Sequence, residues 1–285
     1  MISIIIPYYN KSATIAKTLQ SIKRAISKCK PLYPCQLVEI IIVNDGSVAE
    51  QRKILEDSID LVKLKCCRIV DQENKGVSSA RNRGVAESKF NYIYFLDADD
   101  TLLETFFEDC IDKVNGMNCS LFFDLKILRK KISHNLIGRV FLDEKIFFKL
   151  IVSRCLHLSN IVFFKGELLP FNEKVSVGED LLYIYENIIN RDVYFCKGAV
   201  ATYRYDGKFH FKGVNGLEFI LSSVQDAELK NQVVKSINER NYLSNKLFDS
   251  RVKYNKMNLS LKIKLIGFFQ SKILYSFIQK IRFLS

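Results

Sequence analysis

Three short runs of apolar, mostly β-branched or aromatic residues, Ser3–Ile6, Val38–Val43 and Tyr92–Leu96, each end abruptly at a polar turn. Runs of this kind read as strands buried on both faces, as in a sheet covered by helices. Between them lie segments with helical spacing. Ala13–Lys28 places Ile15, Leu19, Ile22 and Ile26 on one side, Gln51–Leu61 reads as a helix, and Lys75–Glu87 opens on a glycine and continues as one. A further strand is expected near Cys66–Val70. Strands that alternate with helices predict an open, mostly parallel α/β sheet. Such sheets bind ligands beyond the carboxyl ends of their strands. Those ends carry Pro7–Asn10, Asp45–Ser47 and Asp97–Asp100, so polar residues collect where the architecture puts a crevice.

The last of these turns is the most chemically loaded. Asp97, Asp99 and Asp100 follow the strand directly, and three carboxylates so close together repel unless something positive sits among them. Residues two apart in an extended chain point the same way, so Asp97 and Asp99 can converge on one point. A hard cation such as Mg²⁺ or Mn²⁺ suits all-oxygen ligands and leaves sites for substrate phosphates. An acidic turn in which Asp99 or Asp100 caps a helix around Leu102–Val114 is the alternative, and these nine residues alone leave both open. The Gly-x-Gly-x-x-Gly and Walker-type phosphate loops are absent, which disfavours a dinucleotide enzyme or a P-loop ATPase.

Composition narrows the class further. The 285 residues are 48% hydrophobic, enough for a large core plus an extension. The start, Met1–Pro7, lacks the basic region and cleavage site of a signal peptide. No apolar run approaches the ~20 residues of a membrane-spanning helix. A cytoplasmic protein is therefore expected. Eight cysteines without a C-x-x-C pair read as small buried apolar residues. Three histidines without ligand spacing argue against structural zinc. Of the net charge of +12, eight basic residues lie between Arg251 and the end with no acidic residue among them. Removing these eight from +12 leaves +4 for the first 250 residues, so the basicity belongs to a tail.

Five segments in order resemble glycosyltransferase family 2, the inverting group with the GT-A fold. They are Ser3-Ile-Ile-Ile-Pro-Tyr-Tyr-Asn10, Glu39-Ile-Ile-Ile-Val-Asn-Asp-Gly-Ser47, Asn74-Lys-Gly-Val-Ser-Ser-Ala-Arg-Asn-Arg-Gly84, Phe95-Leu-Asp-Ala-Asp-Asp100 and Gly178-Glu-Asp-Leu181. The resemblance covers roughly the first 205 residues. It implies a Rossmann-like, open mixed sheet, mostly parallel and flanked by helices, with a helical C-terminal extension. A GT-A domain would span 1–215, its nucleotide-sugar part about 1–100 and its acceptor part about 101–215. The basic helical extension would span 216–285.

Each motif then acquires an implied role. Pro7, Tyr9 and Asn10 would pack on the nucleotide base, and Asp45 would accept a hydrogen bond from uracil, which selects UDP-sugar donors. Lys75, Gly76 and Arg81 would line the donor site, since glycine permits close backbone approach and the guanidinium suits phosphate or carboxylate. Arg81 on a solvated helix face and Asp45 in a plain Asn-Asp-Gly turn are the alternatives. Asp99 would bind Mn²⁺ or Mg²⁺, Asp97 the ribose or the metal shell, and Asp100 is a further candidate. Asp180 would be the general base, with Glu179 beside it; the alternative is two acids placed to suit a helix dipole. The segment Leu156–Phe171 resembles the variable region that shapes the acceptor pocket.

One segment departs from the family pattern. Members often carry Tyr-Arg, one residue, then His. Here Tyr203-Arg204 is followed by Tyr205 and Asp206, with His210 displaced. His210 is therefore left out of the metal site, and Arg204 and Lys208 are candidate phosphate contacts.

Beyond this region, Asn258–Leu284 reads as a helix striped with Ile266, Phe269, Ile273, Phe277, Ile281 and Leu284. A basic amphipathic helix suits an anionic membrane surface, and packing on the catalytic domain or on a second subunit is its alternative. The expected activity is metal-dependent, inverting transfer from a UDP-sugar to a glycan or lipid-linked acceptor in surface polysaccharide synthesis. Rival classes are a nucleotide-sugar-binding protein without turnover and a basic nucleic-acid-binding protein. No recognition motif supports the latter, so no nucleic-acid partner is expected.

Overall fold

A computed structural model describes residues 1–29, 37–114, 116–127, 130–153, 155–203 and 215–224, with isolated positions to 235. The chain separates into two units, Met1–Lys230 and Asn231–Ser285. The architecture below is that of the first. The tail helix expected over Asn258–Leu284, and the calls on Arg204, Lys208 and His210, lie outside the described residues.

The elements run β1 (Ile2–Tyr8), α1 (Ser12–Lys28), β2 (Val38–Asp45), α2 (Ala49–Val62), β3 (Cys67–Gln72), α3 (Val77–Glu87) and β4 (Tyr92–Phe95). They continue as β5 (Thr101–Leu102), α4 (Phe106–Val114), β6 (Ser120–Ile127), β7 (Lys130–Ile132), β8 (Gly138–Leu142), α5 (Glu144–Val152), β9 (Ile161–Phe164), α6 (Glu179–Ile188), β10 (Arg191–Tyr203) and α7 (Asn215–Ser223). The described strands form one sheet in the order β3-β2-β1-β4-β9-β6-β10-β5, with β7 on β6 and β8 on β10. Strands β3, β2, β1 and β4 are parallel, as are β6 and β10, whereas β9 is antiparallel to both of its neighbours. The mixed, mostly parallel sheet matches the expectation. Its antiparallel insert β9 comes from Leu156–Phe171, the stretch that resembles the family's variable region.

Both faces of the early strands are dry. Every residue of β2 is buried, as are Ile4, Ile5 and Ile6 of β1. One face packs Ile4, Ile6, Ile40 and Ile42 against Ile15, Leu19 and Ile22 of α1. The other packs Ile41, Val43 and Val70 against Ala80 of α3. Burying a side chain of this size contributes about 1.5–3 kcal/mol, which is why β-branched runs here specify central strands. Antiparallel partners share a face, so Tyr94, Val162 and Leu121 look one way and Ile93 and Phe163 the other. On the second face Phe95, Phe163 and Phe171 surround Tyr183 of α6, with Phe171 stacked on it at 3.7 Å between centroids. This aromatic cluster fixes α6 against the carboxyl end of β4.

The helix expected around Leu102–Val114 is shorter than its sequence suggested. Thr101–Leu102 instead pairs antiparallel with β10 through Ala201 and Thr202, and the helix begins only at Phe106. Asp99 and Asp100 lie too far upstream to cap it, so the capping alternative fails on register. Cys110, Cys119, Cys155 and Cys196 are buried, and Cys29, Cys66 and Cys67 are half-buried, none of the seven in a disulfide. Burial pushes the Cys67 thiol up to about 12, as expected for a packing residue that stays a thiol. Among the described residues no helix is long and apolar enough to cross a membrane.

Candidate functional site

The carboxyl ends of β1, β2 and β4 bring three sequence-distant turns together. Asn10, at φ 51°, accepts from the Val48 N–H through Oδ1 and donates its own N–H to Ser47 Oγ. The Pro7–Asn10 turn is thus tied to the turn after β2. Tyr8 is buried with its hydroxyl donating to Gln51 O, whereas Tyr9 is half exposed and presents its ring outward. Asp45 is buried at the end of β2. Its Oδ1 accepts from Gln72 Nε2 and the Lys75 N–H, both at 2.8 Å, and its Oδ2 from the Gly76 N–H at 2.9 Å. A carboxylate offers about four lone-pair sites, so three internal donors leave room for one more. Gly76, at φ 91° and with open space where a Cβ would stand, caps α3 and turns these N–H groups inward. Lys75 is exposed.

The positive charge required by the acidic turn is supplied by the protein itself. Lys11 Nζ lies 2.9 Å from Asp99 Oδ2, and Arg81 Nη2 lies 3.0 Å from Asp97 Oδ1. Arg81 is not on a solvated helix face. It is 4% exposed, beneath the Phe171 ring at 5.3 Å, and its Nη1 reaches Glu179 Oε1 at 3.3 Å. One guanidinium therefore joins the turn after β4 to the first turn of α6. Burial, the largest single influence, would raise Asp97, but the charges of Arg81, His157 and Lys11 and the Arg81 hydrogen bond together outweigh it and hold this carboxyl below its usual range. Glu179 moves the other way, raised by burial and by the Asp180 charge against the opposing pull of Arg81. Asp100 is buried, its N–H donating to Asp97 O and its carbonyl accepting from Thr18 Oγ1 at 2.8 Å.

Asp180 is half-buried on the first turn of α6, its Oδ1 accepting the Leu181 N–H at 2.8 Å. Gly178 precedes it in the left-handed region at φ 69°. The backbone of Gly178 is packed by Gly216 of α7, whose N–H donates to Val177 O at 3.1 Å. A Cβ on Gly216 would fall 2.1 Å from Gly178 O. Gly216→Ala must therefore displace the start of α6, and we expect a stability loss of about 1–3 kcal/mol, read as a lowered denaturant midpoint. An unchanged midpoint would contradict this packing.

His157 was not singled out by the sequence. It stands at the head of the 3₁₀ turn Leu158–Asn160, where Nδ1 takes both the Ser159 N–H at 3.1 Å and the Ser159 hydroxyl at 2.6 Å. The Ser159 carbonyl accepts from the buried Tyr94 hydroxyl, and Asn160 Nδ2 donates to Phe123 O and Cys155 O. Burial lowers the His157 pKa, against the raising fields of Asp180 and Asp97 and with that of Arg81. Arg81, Asp97, His157, Glu179 and Asp180 thus form one electrostatic cluster. A lone histidine gives no local signal of such a role, because its partners arrive through the fold.

No group of three or more His, Cys, Asp or Glu side chains that could cage a metal occurs among the described residues. Asp99 offers a single carboxylate, a third exposed and, among the described residues, paired with the exposed Lys11. Such a surface pair is worth ~0–1 kcal/mol, so it is readily exchanged. That donor chemistry fits a hard cation whose remaining positions go to ligand phosphates and water.

Known proteins resemble this chain in sequence and in fold. The family model described as glycosyl transferase family 2 matches residues 3–131. The uncharacterized glycosyltransferase EpsJ of Bacillus subtilis is 33% identical over 108 residues, covering 38% of this chain and 28% of that protein. The teichoic acid poly(glycerol phosphate) polymerase of Staphylococcus epidermidis is 34% identical over 120 residues, covering 41% of this chain and 15% of that protein. The chain thus spans less than a third of the length of either relative. Residues 1–349 of S. aureus TarS superpose with a TM-score of 0.61 at 16% identity, covering 93% of this chain and 78% of that one. TarS has also been crystallised with UDP-GlcNAc. The GT-A architecture is therefore the one adopted, and residues 3–131 match the model of glycosyl transferase family 2.

Proposed function

We propose that the chain is an inverting glycosyltransferase that moves a sugar from a UDP-sugar to a hydroxyl of a glycan or lipid-linked acceptor in surface polysaccharide synthesis. The observation that carries this reading is the ion cluster in which Arg81 holds Asp97 and Glu179 together, 98 residues apart in the latter case. It sets the acidic turn after β4 beside the acidic first turn of α6. The UDP-GlcNAc complex of TarS and the activity named for the S. epidermidis relative support this direction.

In this reading Tyr9 packs on the base, and the remaining lone pair of Asp45 takes the uracil N–H. The Lys75–Arg81 segment borders the sugar nucleotide and Asp97 takes the ribose. Asp99 would hold Mn²⁺ or Mg²⁺, which when bound neutralises the leaving diphosphate. Asp180 accepts the proton of the acceptor hydroxyl as that oxygen attacks the anomeric carbon from the face opposite the leaving group. The carbon–oxygen bond to UDP breaks as the new one forms, so configuration inverts and no covalent enzyme intermediate is needed. The basic segment beyond Arg251 would hold the protein at an anionic membrane surface.

Incubating the full chain with a panel of UDP-sugars and Mn²⁺ or Mg²⁺, and scoring UDP release, tests the proposal. Release with one donor is the expected result. Binding of UDP-sugars without release under any acceptor or metal condition would make it a binding protein instead. Asp99→Ala should weaken metal-dependent donor binding by about tenfold or more, since one charge-assisted ligand is lost. Donor affinity that is equally metal-responsive in the variant would remove Asp99 from the metal site.

A further inference from the structure

A polar cavity opens beside Asp124 of β6. It has a volume of about 310 Å³ and is lined by Asp124, Lys131, Ser133, His134, Leu136 and Lys197. That size is at the lower end of small-ligand sites, about 300–1,000 Å³. Asp124 is in mid-β6, two residues beyond Phe122, and so shares the sheet face that carries Phe95 and Phe163 and packs α6. Beyond Phe195 the pairing of β10 with β6 shifts register, with Gly198 at φ 95° turning its N–H onto Asp124 Oδ2 at 3.0 Å. Lys131 Nζ meets the same oxygen at 2.7 Å.

The other oxygen is the anomaly. Asp124 Oδ1 is buried and has no hydrogen-bond partner among the described residues, although the side chain is 2% exposed. His134 Nε2 is 3.5 Å from it but directs its proton to Cys196 O at 3.1 Å. The His134 Nδ1 accepts the Leu136 N–H, which leaves the ring neutral, in keeping with a pKa lowered by burial. The Ser133 hydroxyl, which also lines the cavity, helps to hold the Asp124 carboxyl below its usual range, yet Oδ1 stays short of a close donor, and a buried carboxylate oxygen in that state costs free energy that a ligand hydroxyl would offset. Asp124 with Lys131 and Lys197 gives the wall a net positive charge, and the exposed Ile137 adds an apolar surface at its edge.

Hydrogen bonds link the cavity to the turn that carries His157. Ser133 O accepts from Cys155 Sγ at 3.6 Å, and Cys155 O accepts from Asn160, which ends the turn that carries His157. We propose that this cavity is a saccharide subsite. A hydroxyl of the bound unit would donate to Asp124 Oδ1, its apolar face would rest on Ile137, and an anionic substituent would lie against Lys131 and Lys197. Naming the occupant as part of a glycan acceptor rests on the glycosyl-transfer reading; the cavity chemistry does not.

The test is saturation-transfer NMR and calorimetry on the full chain with glucose 6-phosphate, glucuronate and glucose as probes, with UDP titrated in parallel. One of the charged probes should bind more tightly than glucose. The exposed Lys197→Ala should weaken the charged probe, and Asp124→Asn, which keeps an accepting oxygen but loses its charge, should weaken neutral glucose by about tenfold. UDP affinity should not change in either variant. If neither charged probe binds, or if both variants bind as wild type does, the subsite is refuted; Lys197→Ala keeps the test valid should Asp124→Asn misfold. Probe binding in a chain that fails to bind UDP would keep the subsite and overturn the donor assignment instead.

Discussion

Asp180→Asn should lower sugar transfer by about 10²- to 10⁴-fold, the range for removing a positioned general base, while UDP binding is retained. The geometry makes the substitution specific. One oxygen of Asp180 is occupied by the Leu181 N–H, so the other is the group free to take a proton. Asparagine has the same shape and can still accept from Leu181 through its carbonyl oxygen. It then presents an amide that donates where the acceptor hydroxyl must also donate. The neighbouring ion pair of Glu179 with Arg81 is untouched, so the fold of the α6 start should persist. Single-turnover UDP release and calorimetric UDP binding would be measured on the same preparations. Normal turnover would disqualify Asp180 as the base, and loss of both activities would mean that it shapes the donor site.

How much of this was legible depends on the range of the interaction. The strands Ser3–Ile6, Val38–Val43 and Tyr92–Leu96 were readable because a β-branched or aromatic run buried on both faces has few other solutions. The need for a positive charge among Asp97, Asp99 and Asp100 followed from Coulomb repulsion alone, but its identity did not. Lys11 and Arg81 reach these acids over 88 and 16 positions, and Arg81 reaches Glu179 over 98. The antiparallel entry of Ile161–Phe164 between β4 and β6, and the pairing of Thr101–Leu102 with β10, are likewise choices of partner rather than of local propensity. Leu102 illustrates the difference. An apolar residue just ahead of a helical pattern reads as part of that helix until a strand from a hundred positions away claims its backbone. His157 and Asp124 carry no local pattern, since each acquires meaning only from groups that the sheet brings to it.

Arg81→Met should be the most destabilising single change in the site. The side chain is 5% exposed and ion-paired to two acids, Asp97 and Glu179. Methionine fills a similar volume and keeps contact with Phe171, so the cost isolates the charge. Stranding a buried ion pair typically costs 3–5 kcal/mol; because Asp97 is a third exposed and can partly rehydrate, about 3 kcal/mol is expected here. The pH dependence fixes the cause. Asp97 has a depressed folded pKa, so its contribution is present above the unfolded value near ~3.9 and is lost as pH falls through the folded one. Glu179 is raised, so it opposes stability as pH rises, and without Arg81 it would do so more strongly. The gap between wild type and variant should therefore be widest at neutral pH and narrow below about pH 4, where both carboxyls take up protons. Urea unfolding at several pH values measures this. A gap independent of pH would assign Arg81 a packing role and dissolve the electrostatic link between the two acidic turns.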